Sequence, residues 1–533
     1  MRHVDLYDTT LRDGAQQEGI SFTVSDKLQI AQKLDELGIT YIEGGWPGSN
    51  PKDTEFFKKA RGLKLKHATL VAFGSTRRVN IEVTEDEGLR ALVVSGAKVA
   101  NIVGKTHDRQ VKQVLETSLA SNLAIIRESI ALLKSKGLTV FFDAEHFFDG
   151  FKSNSPYAIE TLIAAVKGGA DCLVLCDTNG GTLPSEAAGI IAGVKKKISC
   201  PLGIHAHNDT EMGVAVSLSA VESGVEHIEG TINGYGERCG NANLCSIIPA
   251  LQLKLGIKCI TAAQLTHLTE VSRFVAEVAN LPPSSNLPYV GGNAFLHKAG
   301  LHVSALFKWE ESYQHIDPAL VGNNPKVVVS ELSGKSNIIY KAKELGIPIQ
   351  PHGKEARRIL EQIKQLESLG FQYEDADASF ELLLLRSQPG YKPPFNLVDY
   401  MVVVERHRRQ PAAYEIGSQL LAEATIKVKV DNKLMHTASE GNGPVNALDF
   451  ALRKALLGFY PGLAKVDLLD YKVRILEGNS GTGSLVRVLI ESGNGKVQWR
   501  TVGSSTNIIE ASWLALYDSM EYFLLKIDKK TKR

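Results

Sequence analysis

In the stretch GIHAHND two histidines, His205 and His207, stand two residues apart. On a strand that spacing sends both imidazoles out on one face, where they can share a metal ion. The plainer alternative is a pair of hydrogen-bonded histidines at a strand edge. DTTLRDGAQQEG supplies a hard anionic oxygen in Asp13, and YGERCGNAN places Asn241 in a Gly-rich loop. Asp, two His and Asn form a mixed nitrogen and oxygen set with room for substrate and water. No thiolate is needed, so Mg²⁺, Mn²⁺ and Zn²⁺ all suit one such site. Cys239, two residues before Asn241, reads as a small packing residue. Arg12 alone would be a surface ion-pairing residue. Between a ligand candidate and a glycine at a strand end, it is better explained as a donor to an oxyanion.

Other polar residues follow apolar runs in the same way. FFDAEHFFDGF carries Asp143 and Glu145 on one face of a strand, and His146 on the other. Two carboxylates so placed would raise one pKa and suit proton transfer, or one of them simply holds a loop. Thr178 in LCDTNGG can bond a substrate carboxylate or begin a turn. His297 and His302 in HKAGLHVSALF, and Tyr313 beyond them, carry no signal from pattern alone.

Presenting these residues together requires a particular architecture. The β-like runs VDLYDT, TYIEGG, ATLVAF, VANIVG, TVFFDA, DCLVLCD, PLGIHAH and HIEGTIN alternate with amphipathic stretches such as DKLQIAQKLDELG. Eight βα units in residues 1–258 predict a (β/α)₈ barrel, whose chemistry sits at the C-terminal strand ends. A doubly wound sheet would need fewer strands and would show no polar cluster after nearly every one. Residues 259–394, including TAAQLTHLTEVSRFVAEVAN read as one helix, predict a mainly helical connector. Residues 395–533 contain a weak repeat of the order strand, turn, strand, small-residue loop, helix. The first copy is ATIKVKVDNKLMHTASEGNGPVNALDFALRKAL and the second SLVRVLIESGNGKVQWRTVGSSTNIIEASWLALYDSM. This predicts a C-terminal α/β domain of two ββα repeats with a dimerising or regulatory role.

Composition narrows the partners. The formal net charge is +1, and no basic run longer than KKK occurs before the terminal KIDKKTKR, which argues against nucleic acid. No apolar run reaches membrane-spanning length, and MRHVDLYDTT lacks a signal-peptide core. Six scattered cysteines show neither a disulfide framework nor zinc-ribbon spacing. A soluble, reduced, cytoplasmic protein is expected.

DTTLRDGAQQEG, GIHAHND and GYGERCGNANL together resemble the metal-dependent barrel family of 2-isopropylmalate, homocitrate and citramalate synthases, which also contains hydroxymethylglutaryl-CoA lyase. The likeness spans nearly the whole chain, and IEGGWPGSNPKDTEFF and VAFGSTRR point to the citramalate synthase branch. It implies a Claisen-type condensation of acetyl-CoA with pyruvate, followed by hydrolysis of the thioester, on a route to isoleucine. It also implies Asp13, His205, His207 and Asn241 as ligands of one divalent ion. Thr178 would hold the pyruvate carboxylate and Arg12 the developing alkoxide. Glu145 would help take the acetyl methyl proton, with His302 or a bound water as alternatives. His302 and Tyr313 would act across a homodimer, and the C-terminal repeats would bind an effector amino acid, isoleucine being expected. Where some citramalate synthases have a bulky apolar residue two before the strand-5 Glu, this chain has Asp143, so pocket shape does not follow from that position. The competing expectations are a synthase acting on 2-oxoisovalerate and a metal-dependent carbon–carbon lyase.

Overall fold

The computed structural model describes residues 3–330, 333–350, 354–405, 421–476 and 481–528. Each of the eight apolar runs forms a strand: β1 (Asp5–Asp8), β2 (Tyr41–Gly45), β3 (Thr69–Ser75), β4 (Val99–Lys105), β5 (Thr139–Glu145), β6 (Cys172–Asp177), β7 (Leu202–Ala206) and β8 (His227–Gly230). They pair in parallel in sequence order, and β8 closes on β1 through Asp5–Asp8 against His227–Gly230.

Helices follow the strands: α1 (Val24–Leu37), α2 (Pro51–Ala60), α3 (Glu87–Ser95), α4 (Asp108–Gln113) with α5 (Leu119–Ser135), α6 (Phe147–Gly168), α7 (Pro184–Lys195), α8 (Gly213–Glu222) and α9 (Leu244–Pro249). Their apolar stripes pack on the outside of the barrel, with Ile30, Leu34, Ile126, Leu162, Ile191 and Val221 fully or almost fully buried. The first begins at a capping box, where Thr23 accepts from Asp26 N–H and Asp26 accepts from Thr23 N–H. Asp35 near its end is buried and accepts from the backbone N–H groups of Lys66, His67 and Ala68, pinning the entry to β3. Pro249 has no N–H to continue the ladder of α9, and the chain passes there into a π-helical turn at Ala250–Lys254.

Inside the barrel, side chains are unusually polar for a space commonly filled by Val, Ile and Leu. Tyr7, Glu43, Asn101, Asp143, His205 and Glu229 are all buried there. Tyr7 donates to Glu43 (2.5 Å), and the Asn101 amide donates to Tyr7 Oη (3.2 Å) and Glu229 (3.4 Å). These bonds pair Tyr7, Glu43 and Glu229, whereas Asn101 Oδ1 and Asp143 Oδ1 are buried without hydrogen-bond partners.

The chain divides into two compact units, 1–295 with 315–325, and 296–314 with 326–533. The stretch expected as one helix after residue 259 is two, α10 (Ala262–Leu265) and α11 (Leu268–Val278). Thr266 Oγ1 donates back to Ala263 O (2.7 Å), a local bond that competes with the helix ladder at the break.

The second unit opens with the short parallel pair β9 (Leu296–His297) and β10 (Lys326–Val327), and contains helices α12 (Gly300–Lys308), α13 (Lys335–Glu344), α14 (Lys354–Ser368) and α15 (Asp377–Arg386). Two three-stranded antiparallel sheets follow, β11 (Asn396–Glu405), β12 (Leu421–Val430), β13 (Lys433–Gly441), and β14 (Asp467–Ile475), β15 (Val486–Gly493), β16 (Gln498–Ser505). Each is followed by a helix, α16 (Pro444–Leu456) or α17 (Ile508–Tyr522). The repeat is therefore βββα, one strand longer than the ββα order predicted. The added strands begin with matching Leu397-Val398-Asp399-Tyr400 and Leu468-Leu469-Asp470-Tyr471, and both break register between that Leu and Asp. Both are edge strands exposing most of their residues, so they lack the alternation that marks β12.

Candidate metal centre at the barrel rim

The turn after β1 is polar because it is stitched to its neighbours. Asp8 accepts from Thr10 N–H (2.9 Å) and Thr10 Oγ1 (2.8 Å), and Thr10 Oγ1 in turn accepts from Ile232 N–H (2.9 Å) after β8. Burial lifts the Asp8 carboxyl to about 7 despite these bonds. The turn puts Asp13 over the barrel mouth. Its Oδ2 lies 3.4 Å from His205 Nε2 and 3.9 Å from His207 Nε2, and the two Nε2 atoms are 3.4 Å apart. All three residues are buried.

Asn241 arrives from the loop after β8. That loop returns along β7, with Asn208 N–H donating to Gly240 O and Ala242 N–H to Ala206 O, so Asn241 pairs with His207. The path needs glycine: Gly236 and Gly240 have φ of 155° and 87°, and a Cβ on Gly240 would stand 2.0 Å from Gly234 O. The Asn241 amide nitrogen donates to Tyr235 O (3.1 Å), while its Oδ1 is buried without a hydrogen-bond partner. A buried acceptor left unpaired on the residue paired with His207 is what a cation would complete.

Charge points the same way. Asp13, Glu43 and Asp143 are buried carboxyls around the guanidinium of Arg12, and Glu229 is a fourth against His205. Burial works against ionised Asp13, but Arg12 and then the two histidines outweigh it and hold it well below the usual carboxylate range. Burial also opposes a charged His205; its contacts with Asp13 and Glu229 prevail and lift it to about 10. Burial, with the neighbouring charge on His205, lowers His207 to about 4.

Three residues that position this set were not singled out from sequence. Glu43 Oε1 accepts from Arg12 Nε (2.5 Å), and the guanidinium carbon lies 3.8 Å from the centroid of the Phe73 ring. Glu229 Oε2 is 3.0 Å from His205 Nδ1, which turns Nε2 towards Asp13. The available signal was the repeated IEG in TYIEGG and HIEGTIN, a carboxylate within an otherwise apolar parallel strand.

Asp143 and Glu145 do not act as the expected pair. Burial first, then Glu229, push Asp143 well above its ordinary value. Glu145 instead forms an ion pair with Lys105 at the end of β4 (2.6 Å). Thr178 Oγ1 accepts from His146 N–H (2.9 Å), and Arg238 ties the Thr178 carbonyl (2.7 Å) to Asp209 (2.8 Å). Cys239 is exposed rather than packed. His302 and Tyr313 belong to the second unit and stack on each other with centroids 4.1 Å apart. The rim thus gathers Arg12, Asp13, His205, His207 and Asn241, with Glu145 and Thr178 at the ends of the neighbouring β5 and β6. Among the described residues no helix is long and apolar enough to cross a membrane.

Comparison with known proteins finds three family models along the chain. The HMGL-like family model matches residues 3–275, the homocitrate synthase post-HMGL domain-like model 289–370, and the LeuA allosteric (dimerisation) domain model 376–524. The chain is 54% identical to a protein named (R)-citramalate synthase from Geobacter sulfurreducens, over 99% of both chains. It is 52% identical to one of the same name from Aquifex aeolicus, again over 99% of both. A 2-isopropylmalate synthase from Methanocaldococcus jannaschii is 31% identical over 99% of this chain and 96% of its own. The chain belongs to the HMGL-like family, on the branch whose full-length members bear the name (R)-citramalate synthase.

Proposed function

We propose that the protein condenses acetyl-CoA with pyruvate and hydrolyses the resulting thioester, releasing (R)-citramalate and CoA. The observation that carries the choice of substrates is the 54% identity along the full length to an (R)-citramalate synthase. Asp13, His205, His207 and Asn241 would hold one divalent cation, a role supported by the unpaired Asn241 Oδ1 and the surplus of buried carboxyls. When bound, such an ion supplies Lewis acidity towards the carbonyl of a 2-oxo acid.

The remaining roles fall to the chain itself. Arg12, fixed by Glu43 and Phe73, donates to the carbonyl oxygen as negative charge grows there, without having to reorganise. Thr178 Oγ1 accepts from the backbone, so its own proton is available to the pyruvate carboxylate. Glu145, beside Lys105, takes the proton from the acetyl methyl group. His302, stacked on Tyr313, is the competing base. Methyl-proton exchange of acetyl-CoA separates the two: it is lost in Glu145→Gln and kept in His302→Asn.

A homodimer fits the C-terminal unit, whose edge strands expose Val398, Met401, Val404, Leu469 and Ile475. Isoleucine is the proposed effector of that unit. The test is thiol release from acetyl-CoA against a panel of 2-oxo acids. Pyruvate is expected to give the highest kcat/KM, and added isoleucine to lower the rate. A preference for 2-oxoisovalerate would overturn the substrate assignment, because one or two methylenes in a pocket shift selectivity by only about 1–3 kcal/mol.

A further inference from the structure

A broad cleft of about 580 Å³ opens on the same rim, between the ends of β4, β5 and β6. That size lies within the range of small-molecule sites. Its walls continue directly from residues given chemical roles above: His146 follows Glu145, and Asn179 follows Thr178. His146 has φ of 55°, uncommon for a residue with a side chain, and this turn leads from Glu145 into α6, one wall of the cleft. The opposite wall is α4. The two sides meet closely at Gly150, where a Cβ would stand 2.8 Å from Thr106 O.

The lining favours an anionic ligand with a flat heteroaromatic part. Arg109 and Lys152 bring basic side chains to the lining and Asp149 its one carboxylate, while Glu186, outside the lining, lies 3.5 Å from Lys152 Nζ. Asp149 is already engaged, accepting from the Asn179 amide at 2.7 Å with Lys152 Nζ 3.6 Å away. Arg109 is exposed and has no ion-pair partner among the described residues. Val114 is 61% exposed beside the amides of Gln110 and Gln113, an apolar face flanked by hydrogen-bonding groups. A second rim cleft, beside Arg12, is about 290 Å³, and its lysines are engaged, Lys27 with Asp53 and Lys52 with Phe22 O.

We propose that the larger cleft receives the phosphorylated nucleotide end of the acyl-CoA, with Arg109 and Lys152 on its phosphates and the thioester end extending towards Glu145. The inference rests on the acetyl-CoA reading above. S-acetylpantetheine, which lacks the nucleotide, serves as the comparison substrate. In Arg109→Ala and in Lys152→Ala, the kcat/KM for acetyl-CoA relative to that for S-acetylpantetheine is expected to fall about tenfold, as loss of one charge-assisted phosphate contact implies. Asp149→Asn, which removes the opposing charge, should raise the same ratio. An unchanged ratio in both alanine variants would overturn the proposal. Calorimetric titration with adenosine 3′,5′-bisphosphate examines the cleft without turnover. Saturable binding that Arg109→Ala weakens about tenfold is the expected result, and no binding to the unaltered protein would overturn it. If the bisphosphate binds in this way but neither thioester releases thiol with any 2-oxo acid, the synthase reading fails and the nucleotide cleft stands.

Discussion

The barrel and the C-terminal repeats are incomplete in opposite senses. The barrel buries ionisable groups: Glu43, Asp143 and Glu229 lie inside it, beneath the rim carboxylate Asp13, with Arg12 and His205 as their cationic neighbours. The C-terminal unit exposes apolar surface along β11 and β14, where Met401 and Ile475 are 58% and 63% accessible. Buried carboxyls with few cations favour an ion, whereas exposed apolar edge strands favour a protein neighbour. Residues that look misplaced by the ordinary inside–outside rule are, in both regions, those expected to meet something outside the chain.

The strongest way to break this comparison is at the rim. Asp13→Ala or His205→Ala is expected to weaken Mn²⁺ binding, followed by chelator competition, by more than about 100-fold, beyond the effect of losing a ligand's hydrogen-bond partner. Unchanged binding would show that the buried charge serves the fold alone. Asp35→Ala is the control for a buried carboxylate with a purely structural role. Losing an acceptor shared by three backbone N–H groups should lower barrel stability by about 2–3 kcal/mol in urea unfolding at pH 7.

The sign with pH follows from that site. Burial opposes the Asp35 charge, but the three N–H donors prevail and lower its pKa in the fold. Its contribution is therefore complete above the unfolded value of about 3.9 and is lost as pH falls through the folded one, so variant and wild type should converge in acid. Glu229→Gln sharpens the comparison within the barrel: it keeps the shape but removes the charge facing His205 Nδ1, and Mn²⁺ affinity should fall about 10-fold to 100-fold. At the smaller end, Val404→Lys with Ile475→Lys should raise the dimer dissociation constant about tenfold in sedimentation velocity, since charges on an edge strand discourage pairing. An unchanged constant would move the dimer contact away from these edges.

Much of this was legible because local rules sufficed. Each barrel strand is a short apolar run ending in polar residues, and parallel order follows from alternation with helices. The HxH spacing fixes two side chains to one face whatever lies around them. The extra strands β11 and β14 escaped because edge strands with both faces exposed carry no burial period. Glu145 was expected beside Asp143 because they share a face, yet Lys105, forty residues earlier on the neighbouring strand, is its partner.

The sequence by itself determined the eight barrel strands, the helices that alternate with them and the residue types available for the rim, because propensity and side-chain period act over a few residues. Tertiary structure alone decided that Asp13, His205 and His207 converge, that Asn241 is paired with His207, that Glu43 holds Arg12, and that Glu229 orients His205. Those contacts join residues separated by as many as 194 positions, Asp13 and His207 being the farthest apart. Only barrel closure, which sets β8 beside β1, brings them within reach.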